Sequence, residues 1–239
     1  MDQTESSLAV TLDDEPPGLP AHRVELFSDG VLGIAMTLLV LDLAVGEFET
    51  GNLFTALSHQ RATYVAFLIS FVFIGVMWLN HYATFHQVRW VSTPVLWANL
   101  GVLLGAVVLP YPTAVLAAAF RDGNLADERV AITLYGLLAF AMGLSWAILF
   151  WIISRNPRLW STPNSEPMWR RVTLWAVGGA FAYPVAIVLG LVTTPWVSVV
   201  LFFFLVLYRS TQASRINKAS RQIRQQNARS AAAEPGTST

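Results

Sequence analysis

Six long apolar stretches alternate with short polar segments along the chain. A helix needs about 20 apolar residues to cross about 30 Å of hydrocarbon, and the first five stretches meet that length. The sixth is strictly apolar only from Trp196 to Tyr208. We expect it to continue past Arg209, whose long side chain can reach the membrane interface. The pattern predicts an all-α, polytopic membrane protein with six transmembrane helices per subunit, near residues 24–45, 62–85, 93–118, 130–153, 171–193 and 195–213.

The first stretch carries a second, finer pattern. Its large apolar residues follow one another at alternating intervals of four and three, which is the heptad seam of helices packed around a common axis. Lipid-facing surface needs apolar residues but no such register. We therefore predict that helix 1 lines a central pore, with Thr37 on the shoulder of the seam. The seam consists of Phe27, Val31, Ile34, Leu38, Leu41 and Val45.

Three polar side chains lie at a similar depth in three predicted spans, namely Asp29, His81 and Asn99. Asp29 lies on the side of helix 1 that faces away from the seam, where a carboxylate without a partner is costly. We predict a hydrogen-bonded clasp of these three residues, as a structural feature in preference to a proton relay. The side chains that we expect to join it are Trp78, three residues before His81, and Ser28 and Arg23.

Composition supports a membrane protein with polar tails. Of the 239 residues, 54% are hydrophobic and only 13% are charged, unlike a soluble globular domain. The chain has no cysteine, which excludes disulfides and thiolate metal sites within it. We expect a flexible cytoplasmic tail (1–20), a transmembrane channel domain (21–213) and a basic, largely disordered cytoplasmic tail (214–239). The first part of the basic segment can alternatively extend the last helix or lie on anionic lipid.

Charge is distributed unevenly between the two sides of the predicted bundle. Twelve of the 15 Lys and Arg residues fall on the side of the two termini, so the positive-inside rule places both termini in the cytoplasm. Acids prevail on the opposite side. They either form a mouth that concentrates cations or simply solvate the loops. Those that follow the first span are Asp42, Glu47 and Glu49.

The remaining motifs contain no enzymatic chemistry. The sequence has no glycine-rich phosphate loop, G-x-S-x-G elbow or H-E-x-x-H helix. Pro110-Tyr111-Pro112 interrupts the third span, and we interpret it as a packing kink in preference to an ion site of freed carbonyls. We expect a non-enzyme with no catalytic residue, no cofactor and no nucleic-acid partner.

The first span also contains an extended motif. It reads Arg23-Val-Glu-Leu-Phe27-Ser28-Asp29-Gly30 and continues to Ile34, Thr37-Leu38-Leu39 and Leu41. This string closely resembles the first-helix signature of the transmembrane protein 175 family, which comprises lysosomal potassium channels in animals and single-unit relatives in bacteria and archaea. His81 and Asn99 are similar to the family's partners of the Phe-Ser-Asp segment, so the resemblance adds Phe27 to the expected polar network.

The resemblance implies further properties that spacing does not supply. One six-span unit should assemble as a homotetramer with the first helices around the pore. The family's hydrophobic constriction corresponds to Ile34, Leu38 and Leu41, and its hydroxyl layer, linked to potassium preference, corresponds to Thr37, beside which K⁺ would pass. These constriction residues coincide with the heptad seam, and a narrow apolar ring can gate by dewetting.

We therefore expect a potassium-permeable cation channel in a prokaryotic cell membrane, with the bilayer and monovalent cations (K⁺, and Na⁺ and H⁺ as further candidates) as its partners. The filter sequence Thr-Val-Gly-Tyr-Gly is absent, so any selectivity needs another mechanism. The alternative is a proton-coupled or proton-conducting cation transporter that uses Asp29 and His81. A third hypothesis is a non-conducting membrane scaffold.

Overall fold

The computed structural model describes residues 18–43 and 50–233, without the side chains of residues 42 and 231–233. Val45, Glu47 and Glu49 lie outside the described residues. Two short strands, β1 (Leu19–Pro20) and β2 (Trp90–Val91), pair antiparallel. The α-helices are α1 (Ala21–Leu38), α2 (Leu53–His59), α3 (Arg61–Phe85), α4 (Thr93–Val108), α5 (Pro110–Asp122), α6 (Leu125–Ser154), α7 (Glu166–Val192) and α8 (Pro195–Ala233).

Six helical segments are long and apolar enough to cross a membrane, which confirms the predicted number of spans. The third segment, Thr93–Asp122, consists of α4 and α5 together. The turn between the last two spans is short: the Trp196 backbone N–H donates to the Thr194 hydroxyl (3.3 Å), and Pro195 begins α8.

The first span is not the continuous α-helix that the seam predicts. After Leu38 the chain tightens into a 3₁₀ helix, Leu39–Leu43. A 3₁₀ helix has about three residues per turn and an α-helix about 3.6, so the side chains beyond Leu38 rotate relative to the seam. Leu41 is exposed all the same, whereas Leu39 is fully buried.

The proline motif divides the third span between Val108 and Pro110, as predicted. Pro110 has no N–H that could donate a hydrogen bond to the Ala106 carbonyl. The Leu109 N–H contacts that carbonyl instead (3.3 Å) while also donating to the Gly105 carbonyl (3.1 Å). The Thr113 hydroxyl donates to the Leu109 carbonyl (2.8 Å). The kink is therefore hydrogen bonded within the chain.

Helix α6 lies at the centre of the bundle, where it packs against α4, α5, α7 and α8. Neighbouring helices approach α6 closely because glycines, which have no side chain, lie at the points of contact. A methyl group added at Gly136 would lie 2.5 Å from the Ile187 side chain, and one at Gly143 would lie 2.9 Å from the Ala180 Cβ. Helix α1 packs on α3 and α4 instead, which leaves it at the edge of the subunit.

The last helix extends well beyond the membrane span. It continues to Ala233, so residues 214–233 are helical, in contrast to the largely disordered tail that we expected. Alanine, glutamine and arginine in this segment are good helix formers. Contacts with the loops also hold it, since Arg224 Nε donates to the Thr162 hydroxyl (3.3 Å) and the Ser220 hydroxyl donates to Gln87 Oε1.

The end of the expected N-terminal tail is also structured. Leu19 pairs with Val91 in the two-stranded sheet, and the Ala21 N–H donates to the Arg89 carbonyl (3.1 Å). These contacts attach the beginning of α1 to the loop between α3 and α4. The position of α1 is therefore determined at its first turn as well as by helix packing.

Candidate functional site

One face of α1 is uncovered in the subunit. Phe27 and Ile34 are 56% and 62% exposed, Leu38 is 40% exposed, and Leu41, in the 3₁₀ helix that follows α1, is 68% exposed. These are large apolar side chains of the predicted seam, and within the described part of the chain no element covers them. A contiguous apolar face of this kind marks a contact with lipid or with another protein surface.

Small and hydroxyl side chains lie on the same face. A methyl group added at Gly30 or Gly33 would meet no atom within 4 Å, so neither glycine serves packing inside the subunit. The exposed Thr37 hydroxyl donates to the Ile34 carbonyl at 2.8 Å. Because its proton is used in this bond, the Thr37 oxygen has lone pairs left to accept further contacts.

The opposite face of α1 packs against its own subunit. Leu32 and Ala35 are fully buried there, and the buried Ser28 belongs to a hydrogen-bonded chain across three helices. Asn99 Nδ2 on α4 donates to the Ser28 hydroxyl (3.0 Å), and Asn99 Oδ1 lies 2.9 Å from His81 Nε2 on α3. Since an amide oxygen only accepts, this arrangement places the proton on Nε2 of His81.

Asp29 belongs to a separate contact. Trp78 Nε1 on α3 donates to Asp29 Oδ1 at 2.9 Å. The prediction that Asp29, His81 and Asn99 form one clasp is therefore wrong. Ser28, and not Asp29, joins Asn99 and His81. Successive helical residues point about 100° apart, so Ser28 and Asp29 meet different partners. Arg23 and Phe27 are exposed and join neither contact, contrary to the network predicted from the motif.

Aromatic rings enclose the imidazole of His81. The Phe85 ring stacks on it with centroids 4.3 Å apart, and Trp146 of α6 approaches edge-on at 6.2 Å. His81 itself is fully buried. The ring is thus fixed by two neighbours and one hydrogen bond, which favours a structural contact over a mobile proton carrier.

Sequence reasoning missed the burial of Arg209. This side chain is buried between helices, not extended to the interface as expected. Its guanidinium lies 5.7 Å from the Tyr183 ring centroid, and a methyl group at Gly143 would come within 2.8 Å of Arg209 Nη2. The available signal was the pair of glycines, Gly143 and Gly179, that make room for the guanidinium on neighbouring helices.

A further buried polar chain joins α3, α5 and α6. The Ser70 hydroxyl lies 2.7 Å from Thr113 Oγ1 and 3.1 Å from the Tyr135 hydroxyl. Because the Thr113 proton is donated to the Leu109 carbonyl, Ser70 donates to Thr113 and Tyr135 donates to Ser70. No sequence signal distinguishes these hydroxyls from the many others in the spans.

The described residues contain no group of three His, Asp or Glu side chains arranged to hold a metal ion. Of the acids predicted at the outer mouth, the Asp42 side chain, Glu47 and Glu49 lie outside the description. The candidate site is therefore the uncovered face of α1, positioned from behind by the chain of Ser28, Asn99 and His81.

Six apolar spans and a first helix packed on one side only define a multi-pass helical membrane protein. Residues 23–110 match the family model described as endosomal/lysosomal potassium channel TMEM175. A protein named potassium channel from Streptomyces collinus is 37% identical over 174 residues, which cover 72% of this chain and 84% of that relative. The chain belongs to the TMEM175 family, and the resemblance of its first-helix signature is confirmed.

Two further relatives place the chain within this family. The crystal structure of a lysosomal potassium-selective channel TMEM175 homolog from Chamaesiphon minutus matches with a TM-score of 0.71 and 31% identity, over 81% of this chain and 97% of that one. The human protein named endosomal/lysosomal proton channel TMEM175 is 32% identical over 156 residues, 59% of this chain and 31% of the human protein. The fold is therefore shared with a solved member of the family.

Proposed function

We propose that this chain forms a homotetrameric, potassium-permeable cation channel whose pore is lined by α1. The observation that carries the proposal is the uncovered apolar face of α1, with Ile34, Leu38 and Leu41 exposed along it. Relatives named potassium channel support the permeating ion. Four copies of this face around one axis enclose a path, and the glycines beside it permit close approach.

The constriction consists of rings of Ile34, Leu38 and Leu41. A narrow ring of aliphatic side chains excludes water and therefore blocks ions until the helices move apart or rotate. Thr37 contributes a ring of hydroxyl oxygens whose lone pairs face the path, because each hydroxyl proton is donated to the Ile34 carbonyl. In this proposal K⁺ in transit passes next to Thr37, and the oxygen ring tunes selectivity.

The surroundings of the pore follow from charge. Asp42, Glu47 and Glu49 attract cations to the outer mouth. The basic residues at the other end of the bundle support cytoplasmic termini, and the membrane in this proposal is the cell membrane. Behind the pore, the Ser28, Asn99 and His81 chain fixes the rotation of α1 and thereby the side chains that face the path.

Proton conduction is the second candidate, because the human relative is named a proton channel. A relay through Asp29 and His81 requires a continuous hydrogen-bonded path. Among the described contacts, Asp29 bonds to Trp78 and His81 bonds to Asn99, with no bond between the two pairs. The contacts therefore favour a structural role for both pairs.

The test is potassium flux in liposomes that contain purified full-length protein. Leu38→Ala should increase the flux about tenfold, equivalent to lowering the barrier by about 1.4 kcal/mol, because the alanine ring is wider and retains water. Leu144→Ala is the matched control, since Leu144 is an equally exposed leucine on α6 (41% exposed, against 40% for Leu38). Equal flux in both variants and the wild type would show that the α1 face does not line the pore.

A further inference from the structure

A cleft lies at the end of the bundle where α3 begins, and none of its lining residues belongs to α1. It has a volume of about 530 Å³ and is formed by the start of α3, the end of α5 and the start of α8. A shallow apolar groove of only about 20 Å³ continues from it along the bundle, lined farther down by Ala66, Ile69 and Val199. The cleft and the groove share Ala62, Val65, Phe120 and Trp196.

The rim of the cleft is basic. His59, Arg61 and Arg121 line it, and all three are exposed. Within the described part of the chain, the ion pair recorded here joins Arg121 to Asp122 at 3.7 Å, and both of these side chains are well exposed. Arg61 has no carboxylate partner there. The rim therefore offers guanidinium groups, which suit the oxygens of a phosphate.

The basic rim of the cleft and the apolar groove lie at different depths in the bundle. Arg61 is the first residue of α3, whereas Ile69 lies eight residues farther along the same helix. At about 1.5 Å per residue, the groove reaches about 12 Å below the rim. Phe120 and Trp196 meet edge-on at the junction, with ring centroids 4.8 Å apart. Tryptophan is enriched at this interfacial depth in membrane proteins.

We propose that this site binds an anionic phospholipid, with its phosphate in the cleft between Arg61 and Arg121 and the beginning of an acyl chain lying against the apolar residues that line the groove. A soluble anion would use the basic rim but not the groove, and a neutral lipid would use the groove but leave the arginines without a counter-charge. An amphiphilic anion satisfies both compartments. None of the residues that line the site belongs to α1, so its test does not depend on the proposed pore.

The experiment is native mass spectrometry of the purified full-length protein with dioleoyl phosphatidylglycerol or dioleoyl phosphatidylcholine. Phosphatidylglycerol should bind preferentially, and Arg61→Gln should reduce that preference about fivefold, as expected for the loss of one interfacial basic charge. Combining Arg61→Gln with Arg121→Gln should abolish it. Arg170→Gln is the matched control, because Arg170 is exposed on α7 and does not line the cleft.

Two outcomes would overturn the proposal. One is a phosphatidylglycerol preference that is absent, or that survives in the double variant. The other is displacement of bound phosphatidylglycerol by an equal concentration of glycerol 3-phosphate, which would indicate a soluble-anion site. Should the double variant not fold, phosphatidylglycerol with brominated acyl chains tests the wild type. It should quench tryptophan fluorescence more than the brominated choline lipid, and Trp196→Phe should remove the difference.

Discussion

The two faces of α1 have similar side chains but different surroundings. One face places Leu32 and Ala35 against α3 and α4 with no exposed surface. The other leaves Ile34 and Leu38 uncovered by the rest of the subunit. Hydropathy does not distinguish these faces, because both are aliphatic. The difference is that polar bonds from Ser28 and Asp29 fasten only the first face to its own subunit.

The comparison of the two faces predicts different effects for substitutions at neighbouring residues of α1. A substitution on the covered face should act on the stability of the subunit. A substitution on the uncovered face should act on ion flux and leave the fold intact. Residues two positions apart in the sequence therefore test the comparison directly.

Leu32→Ala should have the largest effect on the fold. It removes a fully buried side chain and leaves a cavity, so the free energy of unfolding should fall by about 2–3 kcal/mol. Ile34→Ala is the matched control on the exposed face and should cost less than about 0.5 kcal/mol. Denaturant unfolding in detergent micelles measures both. Equal losses would show that both faces are packed alike, and the comparison would fail.

Asn99→Leu should give the next largest effect. Leucine has the same branched shape and the same number of heavy atoms, but the Ser28 hydroxyl and the His81 Nε2–H lose their partner. Interhelical polar contacts in membranes contribute about 0.6–2 kcal/mol, so we expect a loss of about 1–2 kcal/mol in the same assay. Asn156→Leu is the control, since Asn156 is exposed and its side chain does not cap the 3₁₀ helix Pro157–Leu159 that follows it. An unchanged midpoint for Asn99→Leu would exclude a structural role for this chain.

The sequence predicts that Asn99 and His81 belong to the polar network behind α1, but it does not predict which residues of α1 they meet. Asn99 and His81 stand out because polar side chains are rare within apolar spans. Whether Ser28 or Asp29 meets them depends on the rotation of α1 against α3 and α4, which packing decides. Residues 28 and 29 are about 100° apart on the helix, so a modest rotation exchanges their partners.

Arg209 and the last helix show a different limit of sequence reasoning. An arginine at the end of an apolar stretch is normally placed at the interface. That placement assumes that the helix ends nearby, whereas α8 continues to Ala233. Contacts with residues 87, 162 and 163 hold the extension, and such long-range contacts have no signature in local composition. The number of spans, in contrast, follows from apolar length alone.

On the uncovered face, Thr37→Ala should lower the preference for K⁺ over Na⁺ by a few fold, with the fold unchanged. It removes the hydroxyl oxygen that faces the proposed path, and one neutral hydrogen-bonding group contributes about 0.5–1.5 kcal/mol. Reversal potentials under bi-ionic conditions give the ratio. Thr173→Ala is the control, because its hydroxyl also donates to a carbonyl of its own helix, away from α1. A K⁺ to Na⁺ ratio that responds equally to both substitutions would remove Thr37 from the selectivity role.

Asp29→Asn should have the smallest effect on stability. It distinguishes a structural role of Asp29 from a role in proton conduction. Asparagine keeps an oxygen that can accept the bond from Trp78 Nε1 at the position of Asp29 Oδ1, while the titratable carboxyl group is lost. If Asp29 only holds α1 against α3, the free energy of unfolding should change by less than about 0.5 kcal/mol and K⁺ flux should persist. Trp78→Phe, which removes the donor but leaves the charge, should cost about 0.6 kcal/mol.

Flux of protons, followed with a pH-sensitive dye in the same liposomes, separates the alternatives. Proton flux that disappears in Asp29→Asn but survives in Trp78→Phe would show that the covered face conducts protons, and the division of α1 into a structural and a conducting face would no longer hold.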